Sequence, residues 1–143
     1  MIRIDDKKDF KNLIINAYNS MNNEEYEIFC DNFNKKFDYS GIKHMDNLFQ
    51  NTKMKKIPEL NLINVLDVSF MFASSEIEQV NLLNTYNIIR MESVFNNCKS
   101  LKEINDLDLK NTTMLDSAFK NCLSLEKIVK AFSQEIRDLS KSS

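Results

Sequence analysis

Three cysteines and one histidine are the side chains of this sequence most suited to chemistry, and their spacing limits what that chemistry is. Cys98 and Cys122 hold matching positions in a repeated pattern, so a disulfide between them is geometrically conceivable. Thr52 and Ser75 hold the same position in earlier repeats, which favours the alternative that small side chains fill a tight column. No Cys-x-x-Cys or Cys/His spacing indicates zinc, and no nucleophile is spaced to pair with His44.

The other residue types also argue against catalysis. The single glycine of the chain leaves no glycine-rich loop for phosphates. Carboxylates are plentiful, but in the predicted strands they alternate with apolar positions, as on a solvated face. We therefore expect no enzymatic activity, no cofactor and no metal.

Lysines cluster around the first repeat although the net charge of the chain is −2. Such a cluster could meet phosphates or an acidic protein surface. The low net charge and the lack of interleaved aromatic residues argue against nucleic acid, and a solvated rim is the plainer interpretation. We call this set the basic cluster: Lys35, Lys36, Lys43, Lys53, Lys55 and Lys56.

The elements that position these residues follow from a pattern that occurs four times. An aliphatic residue is followed four positions later by phenylalanine, and the phenylalanines at positions 49, 72, 95 and 119 are 23, 23 and 24 residues apart. This period falls in the range of about 20 to 29 residues of leucine-rich repeats. The residue before each phenylalanine is also apolar, which predicts a short helix or 3₁₀ turn. A two-residue step then predicts a strand in each unit, with these inward positions: Leu60 and Leu62, Leu83 and Thr85, Leu107 and Leu109.

Two segments resemble a known family. Residues 65–72 read VLDVSFMF, and residues 91–104 read MESVFNNCKSLKEI. They are similar to the BspA-like leucine-rich-repeat proteins, whose units read approximately N-V-T-D-M-S-x-M-F-x-x-C-x-S-L. The similarity covers about residues 37–128. It implies a solenoid of stacked units, and it implies a role in adhesion at a cell surface.

We predict an α/β single domain over residues 1–143. Residues 1–36 form an N-terminal helical cap, residues 37–128 form a short leucine-rich-repeat solenoid with a small parallel sheet on the concave side, and residues 129–143 form a C-terminal capping helix and tail. Caps are expected because an uncovered terminal repeat exposes apolar side chains and strand edges. No apolar run is long enough for a signal peptide or a membrane span, so we expect a cytoplasmic protein with no membrane partner.

The strand positions between the inward residues are the predicted binding surface. Ile63, Leu82 and Tyr86 would lie on adjacent units as an apolar cluster with a polar rim, which is the composition of a protein-binding hot spot. Two alternatives stay open: the C-terminal or N-terminal helices fold over this cluster, or the strand register slips by one residue, so that these residues belong to the core. The predicted partner-binding residues are Ile63, Leu82, Tyr86, Asn61, Asn84, Asp106, Asp108 and Lys110.

The expected function is non-catalytic recognition of a protein of unknown identity, which the contact masks or inhibits. One version is a bacterial or phage inhibitor, encoded by a mobile element, that blocks a host defence complex. Two alternatives stay open: adhesion as part of a longer exported protein, and nucleic-acid binding through the basic cluster. Nucleic acid is otherwise expected only as part of a partner complex, and the oligomeric state is not indicated.

Overall fold

The computed structural model describes residues 1–125. The predicted C-terminal helix and tail, residues 129–143, lie outside this part of the chain, as do residues 126–128 of the predicted repeats. The described part combines two helices with small parallel sheets. This agrees with the predicted mixture of helix and strand.

Two helices occupy the N-terminal region, α1 over Lys7–Ser20 and α2 over Asn23–Lys36. The Asp6 side chain caps α1, and Asn22 and Glu25 form a reciprocal capping box at the start of α2. Phe10 and Phe33 are fully buried, and their rings lie 4.8 and 5.7 Å from that of Tyr39 at the start of the repeats. The predicted N-terminal helices are therefore present and pack against the repeats.

Six strands of two residues each form three separate parallel pairs. They are β1 (Ile2–Arg3) with β2 (Phe37–Asp38), β3 (Leu60–Asn61) with β5 (Leu82–Leu83), and β4 (Gln79–Val80) with β6 (Glu103–Ile104). A 3₁₀ helix over Thr85–Asn87 follows β5. The prediction of one small sheet is wrong, because the three pairs are separate. Beyond β5, hydrogen bonds from a side chain take the place of backbone-to-backbone hydrogen bonds. The Asn105 amide bonds both the N–H and the carbonyl of Leu82, at 2.7 and 2.6 Å.

The predicted short helix or 3₁₀ turn around each repeat phenylalanine is instead a series of turns stacked on the next unit. Phe49 N–H donates to the carbonyl of Met71 in the next unit at 2.8 Å, while Thr52 N–H donates back to the carbonyl of Phe49 at 3.2 Å. Left-handed residues stand two positions before and two after each of the four repeat phenylalanines and interrupt the helical ladder. They are Asn47, Asn51, Phe70, Ser74, Ser93, Asn97, Ser117 and Asn121.

The core is a ladder of the four repeat phenylalanines. Successive ring centroids are 5.8, 5.3 and 5.5 Å apart, and the interplanar angles are 17°, 5° and 19°. Each ring is at most 1% exposed. The phenylalanine register predicted from the sequence is therefore confirmed.

Candidate functional site

Leu82 does not project from the strand surface, contrary to the prediction. β3 and β5 pair Leu60 with Leu82, so Leu82 fills the core and is 1% exposed, whereas Leu83 is 38% exposed. The register slips by one residue because leucine is available at both positions and either can fill the core. Asn84 then takes a left-handed conformation, with φ of 55°, and Thr85 after it is buried as predicted.

The remaining predicted residues, together with Leu83, which was predicted to point inward, form a surface that we call the strand face. Ile63, Tyr86 and Lys110 hold the same position in successive units, nine residues before a phenylalanine. The Lys110 ammonium lies 4.9 Å from the centre of the Tyr86 ring, a cation–π contact. The strand face comprises Asn61, Ile63, Leu83, Asn84, Tyr86, Asp106, Asp108 and Lys110.

Asparagine side chains fix the backbone beneath this surface. Asn87 donates to the carbonyl of Ile63 at 2.7 Å, and Asn111 donates to the carbonyl of Tyr86 at 2.6 Å. Asn84 also donates to the Asn61 side-chain oxygen at 3.0 Å. These contacts join adjacent units, so the apolar side chains stand on a backbone that is already ordered.

Polar residues at the far end of the strand face hold a tight turn. Asp108 accepts a hydrogen bond from the Lys110 N–H at 3.1 Å, and its own N–H donates to the Thr85 hydroxyl at 2.9 Å. Asp106 and Asp108 are both exposed. The turn thus places the Asp108 carboxylate in the same segment as Lys110, whose ammonium contacts the Tyr86 ring.

A cleft of about 150 Å³ opens next to Ile63 and is lined in part by Phe37 and Tyr39. The Tyr39 hydroxyl donates to the Asn34 side-chain oxygen at 2.5 Å and accepts from the Asn61 N–H at 2.7 Å. Burial raises the pKa of Tyr39 to about 12, so its hydroxyl stays protonated at neutral pH. Asp38 also lines the cleft, so its wall combines a carboxylate with aromatic side chains, and its size suits a single side chain of a partner.

The basic cluster is less concentrated than its sequence spacing indicates. Only Lys35 and Lys56, among its six members, line the groove of about 450 Å³ that lies beside α2, and Asp31 and Glu59 line it as well. Lys56 is paired with Glu27. The other four lysines are exposed. The groove thus presents both signs of charge.

Exposed apolar residues in the turn-rich segments were missed by the sequence analysis. Leu66, Phe70, Ile89 and Met114 are 36%, 38%, 44% and 40% exposed. Ile89 N–H donates to the carbonyl of Leu66, which places these two on adjacent units. Part of the signal was available, because the position six residues before the phenylalanine is Lys43 in the first unit but Leu66 and Ile89 in the next two. We call these four residues the turn-side patch.

The two cysteines of the repeats pack in the core or against it. Cys98 and Cys122 are free and donate to the carbonyls of Phe72 and Phe95 at 2.8 and 3.0 Å. Burial raises the pKa of both thiols, that of Cys122 to about 12. The interpretation of this column as a row of small buried side chains therefore agrees with the structure, and the disulfide is not formed.

The described residues define a class of protein: stacked, turn-rich units around an apolar ladder, covered at one end by two helices. The chain belongs to the DUF285 family, described as "Mycoplasma protein of unknown function", which it matches over residues 14–132. Neither the curated proteins nor the solved structures contain a match to it. Between residues 1 and 125, none of the helices has the length and apolar character needed to cross a membrane.

Proposed function

We propose that the chain is a short leucine-rich-repeat solenoid of the BspA-like kind, which recognises a protein partner without catalysis. Three observations support this: the ladder of phenylalanines at 5.3 to 5.8 Å, hydrogen bonds from each unit to the next, and the match to a family over residues 14–132. Repeats of this type place variable side chains at regular intervals on a rigid support, which suits a broad contact.

The strand face is the proposed contact surface, and the observation that carries this proposal is its ordered apolar centre. Ile63 and Tyr86 are half-buried and Leu83 is exposed, while asparagine contacts from the next unit hold the backbone beneath. Rigid aromatic and aliphatic side chains lose little conformational freedom when a partner covers them. The cleft beside Ile63 offers the partner a place for one side chain.

Masking a working surface of the partner is the finer version of this function. A rigid protein of 143 residues can cover such a surface without chemical change in either molecule. An inhibitor of a host defence complex, encoded by a mobile element, would act in this way. The small size and low net charge of the chain motivate that version.

The test is an affinity capture with mass spectrometry, from lysate of the source organism and of its host where it has one. The wild type is compared with the Ile63→Asp, Tyr86→Ala double variant, which places a charge at the apolar centre. Ile28→Asp is the matched control, because Ile28 is 62% exposed on α2 and does not belong to the strand face. All variants are first shown to unfold cooperatively at the wild-type urea concentration.

We expect a partner that the wild type and Ile28→Asp retain and the double variant loses. A partner held equally by all three proteins would contradict the strand face as the contact surface. An Ile89→Asp variant then tests the turn-side patch, since Ile89 is its most exposed member.

Adhesion is the second candidate, because the resemblance to BspA-like proteins implies it. The same variants, tested for attachment to intact host cells and to immobilised matrix proteins, separate adhesion from recognition inside a cell. Nucleic-acid binding is less favoured, since Asp31, Glu59 and the Glu27 pair offset the lysines of the groove. It predicts an affinity that falls steeply with salt concentration.

A further inference from the structure

His44, Asp46 and Asp67 bring three metal-ligating side chains together on the turn-rich side of the first two units. One ligand atom from each residue can be chosen so that all three atoms lie within 4.8 Å of one another. His44 is exposed and the two aspartates are half-buried. The group therefore faces solvent while resting on fixed backbone.

The repeat register explains why these residues meet. His44 and Asp67 hold the same position in consecutive units and form a parallel bridge, so their side chains point to the same side. Hydrogen bonds of 2.9 Å, from Met45 N–H to the carbonyl of Asp67 and from Asn47 N–H to that of Ser69, fix the segment between. Asp46 lies two residues after His44 and shares its side of the extended segment.

Both carboxylates are oriented by residues outside the group. Asp67 Oδ1 accepts from the N–H and the hydroxyl of Ser69, at 2.9 and 2.5 Å. Asp46 Oδ1 accepts from the Lys7 ammonium at 3.1 Å. In each carboxylate, one oxygen is thus held by an orienting partner, which leaves the second oxygen for an ion. Carboxylates that bind metal ions are commonly held by outer-shell hydrogen bonds of this kind.

We propose that His44, Asp46 and Asp67 bind a divalent transition-metal ion of the Zn²⁺ type, with water completing the coordination. One imidazole nitrogen and two carboxylate oxygens suit Zn²⁺ or Co²⁺, whereas Mg²⁺ and Ca²⁺ prefer oxygen ligands only. Tetrahedral bonds of about 2.1 Å separate ligand atoms by about 3.4 Å, so modest side-chain rotation closes the site. The ion would link the first two units and is independent of the partner proposed for the strand face.

Two cationic side chains lie near the proposed metal site and affect its affinity for the ion. Lys7 pairs with Asp46, and Arg90 forms the next parallel bridge after Asp67 but is itself bound to Glu92 at 2.7 Å. Lys7 therefore orients a ligand and also repels the incoming ion. Lys7 is part-exposed, and the backbone keeps Asp46 in place without it, so the orienting contact matters less than the repulsion between Lys7 and the ion. Lys7→Met should therefore bind Zn²⁺ more tightly.

The test is titration of the purified full-length protein with Zn²⁺ by calorimetry and with Co²⁺ by visible absorption. We expect one ion per chain, weakened about tenfold or more by His44→Ala and by Asp67→Asn, and tightened by Lys7→Met. Asp116→Asn is the matched control, because Asp116 holds in the fourth unit the position that Asp46 holds in the first. It should bind as the wild type does.

Two results would overturn the proposal. One is no saturable Zn²⁺ binding by the folded wild type at millimolar ion. The other is binding that His44→Ala and Asp67→Asn both retain at wild-type affinity, which would place the ion elsewhere in the chain. Urea unfolding of each variant shows that loss of binding is not loss of the fold.

Discussion

Phe95 shows at the scale of one residue what the repeat pattern encodes. Its ring is fully buried between those of Phe72 and Phe119, at 5.3 and 5.5 Å. Phe95→Ala should lower the free energy of unfolding by about 3 to 5 kcal/mol, because it removes the ring and leaves a cavity that the stacked units cannot close. Equilibrium urea denaturation measures the loss.

Phe70→Ala is the control for this change. Phe70 is 38% exposed on the turn-side patch, so the same substitution should cost clearly less there than at Phe95. Equal losses at the two positions would contradict the assignment of Phe95 to the core ladder.

Cys122 gives a prediction for alkaline pH. Its thiol has a pKa of about 12 in the folded chain, raised by burial from the ordinary value of 9.0. The unfolded chain therefore releases this proton first, so stability is fully present below about pH 9 and falls as the pH rises from 9 towards 12. Urea midpoints measured at pH 7, 9 and 10 should decrease over the last interval.

Removal of the thiol tests the cause of that decrease. Cys122→Ala should flatten the loss between pH 9 and 10 in part, because Cys30 and Cys98 also have raised pKa values through burial. Tyr39 contributes only above about pH 10, where the unfolded phenol begins to titrate. An unchanged slope in this variant would exclude Cys122 as a source.

The turns that surround each phenylalanine depend on left-handed residues rather than on glycine. Asn51 is exposed and has φ of 62°. Asn51→Ala should destabilise the protein by about 1 kcal/mol, because a Cβ without a polar group disfavours this conformation. Asn51→Gly should cost less, since glycine adopts positive φ freely.

The informative result is which of these two variants is the more stable. In an ordinary helix or strand, alanine is better tolerated than glycine by about 0.5 to 1 kcal/mol. Urea midpoints that place Asn51→Gly below Asn51→Ala would therefore indicate a helical turn, as the sequence pattern predicted, and contradict the left-handed turn.

The sequence predicted the elements that depend on the volume and spacing of side chains. It did not predict the elements that depend on the conformation of the backbone. The phenylalanine column and the two capped helices could be read because apolar periodicity marks them. The turns were read as helical because asparagine and serine with positive φ leave no periodic signal. Leu82 and Leu83 could not be told apart, since either leucine fills the core equally well.

The candidate site could be predicted only where its residues follow from the spacing of the repeats. Ile63 and Tyr86 lie on one surface because both follow from the phenylalanine register. The group of His44, Asp46 and Asp67 follows from that register too, but it was missed because His44 was weighed only against nucleophiles and cysteines, and not against a carboxylate at the matching position of the next unit.

At the scale of the whole molecule, the two N-terminal helices protect one end of the stack. Phe10, Ile14 and Phe33 are fully buried in the same core as the repeat residues. Deletion of residues 1–36 should therefore expose the first unit, and the truncated chain should aggregate or lose its cooperative urea transition.

A shorter deletion separates this covering role from the loss of chain length. Removal of residues 1–4 takes away β1, which pairs only with the two residues of β2, but leaves Asp6 to cap α1. That variant should keep the wild-type size in light scattering, without aggregates, and unfold cooperatively at a slightly lower urea concentration. If the chain without residues 1–36 behaved in the same way, the repeats would be stable without the helices, because the stacked units alone would bury enough apolar surface. The helices would then be free for another role, and their exposed Ile28 would become the first residue to test for it.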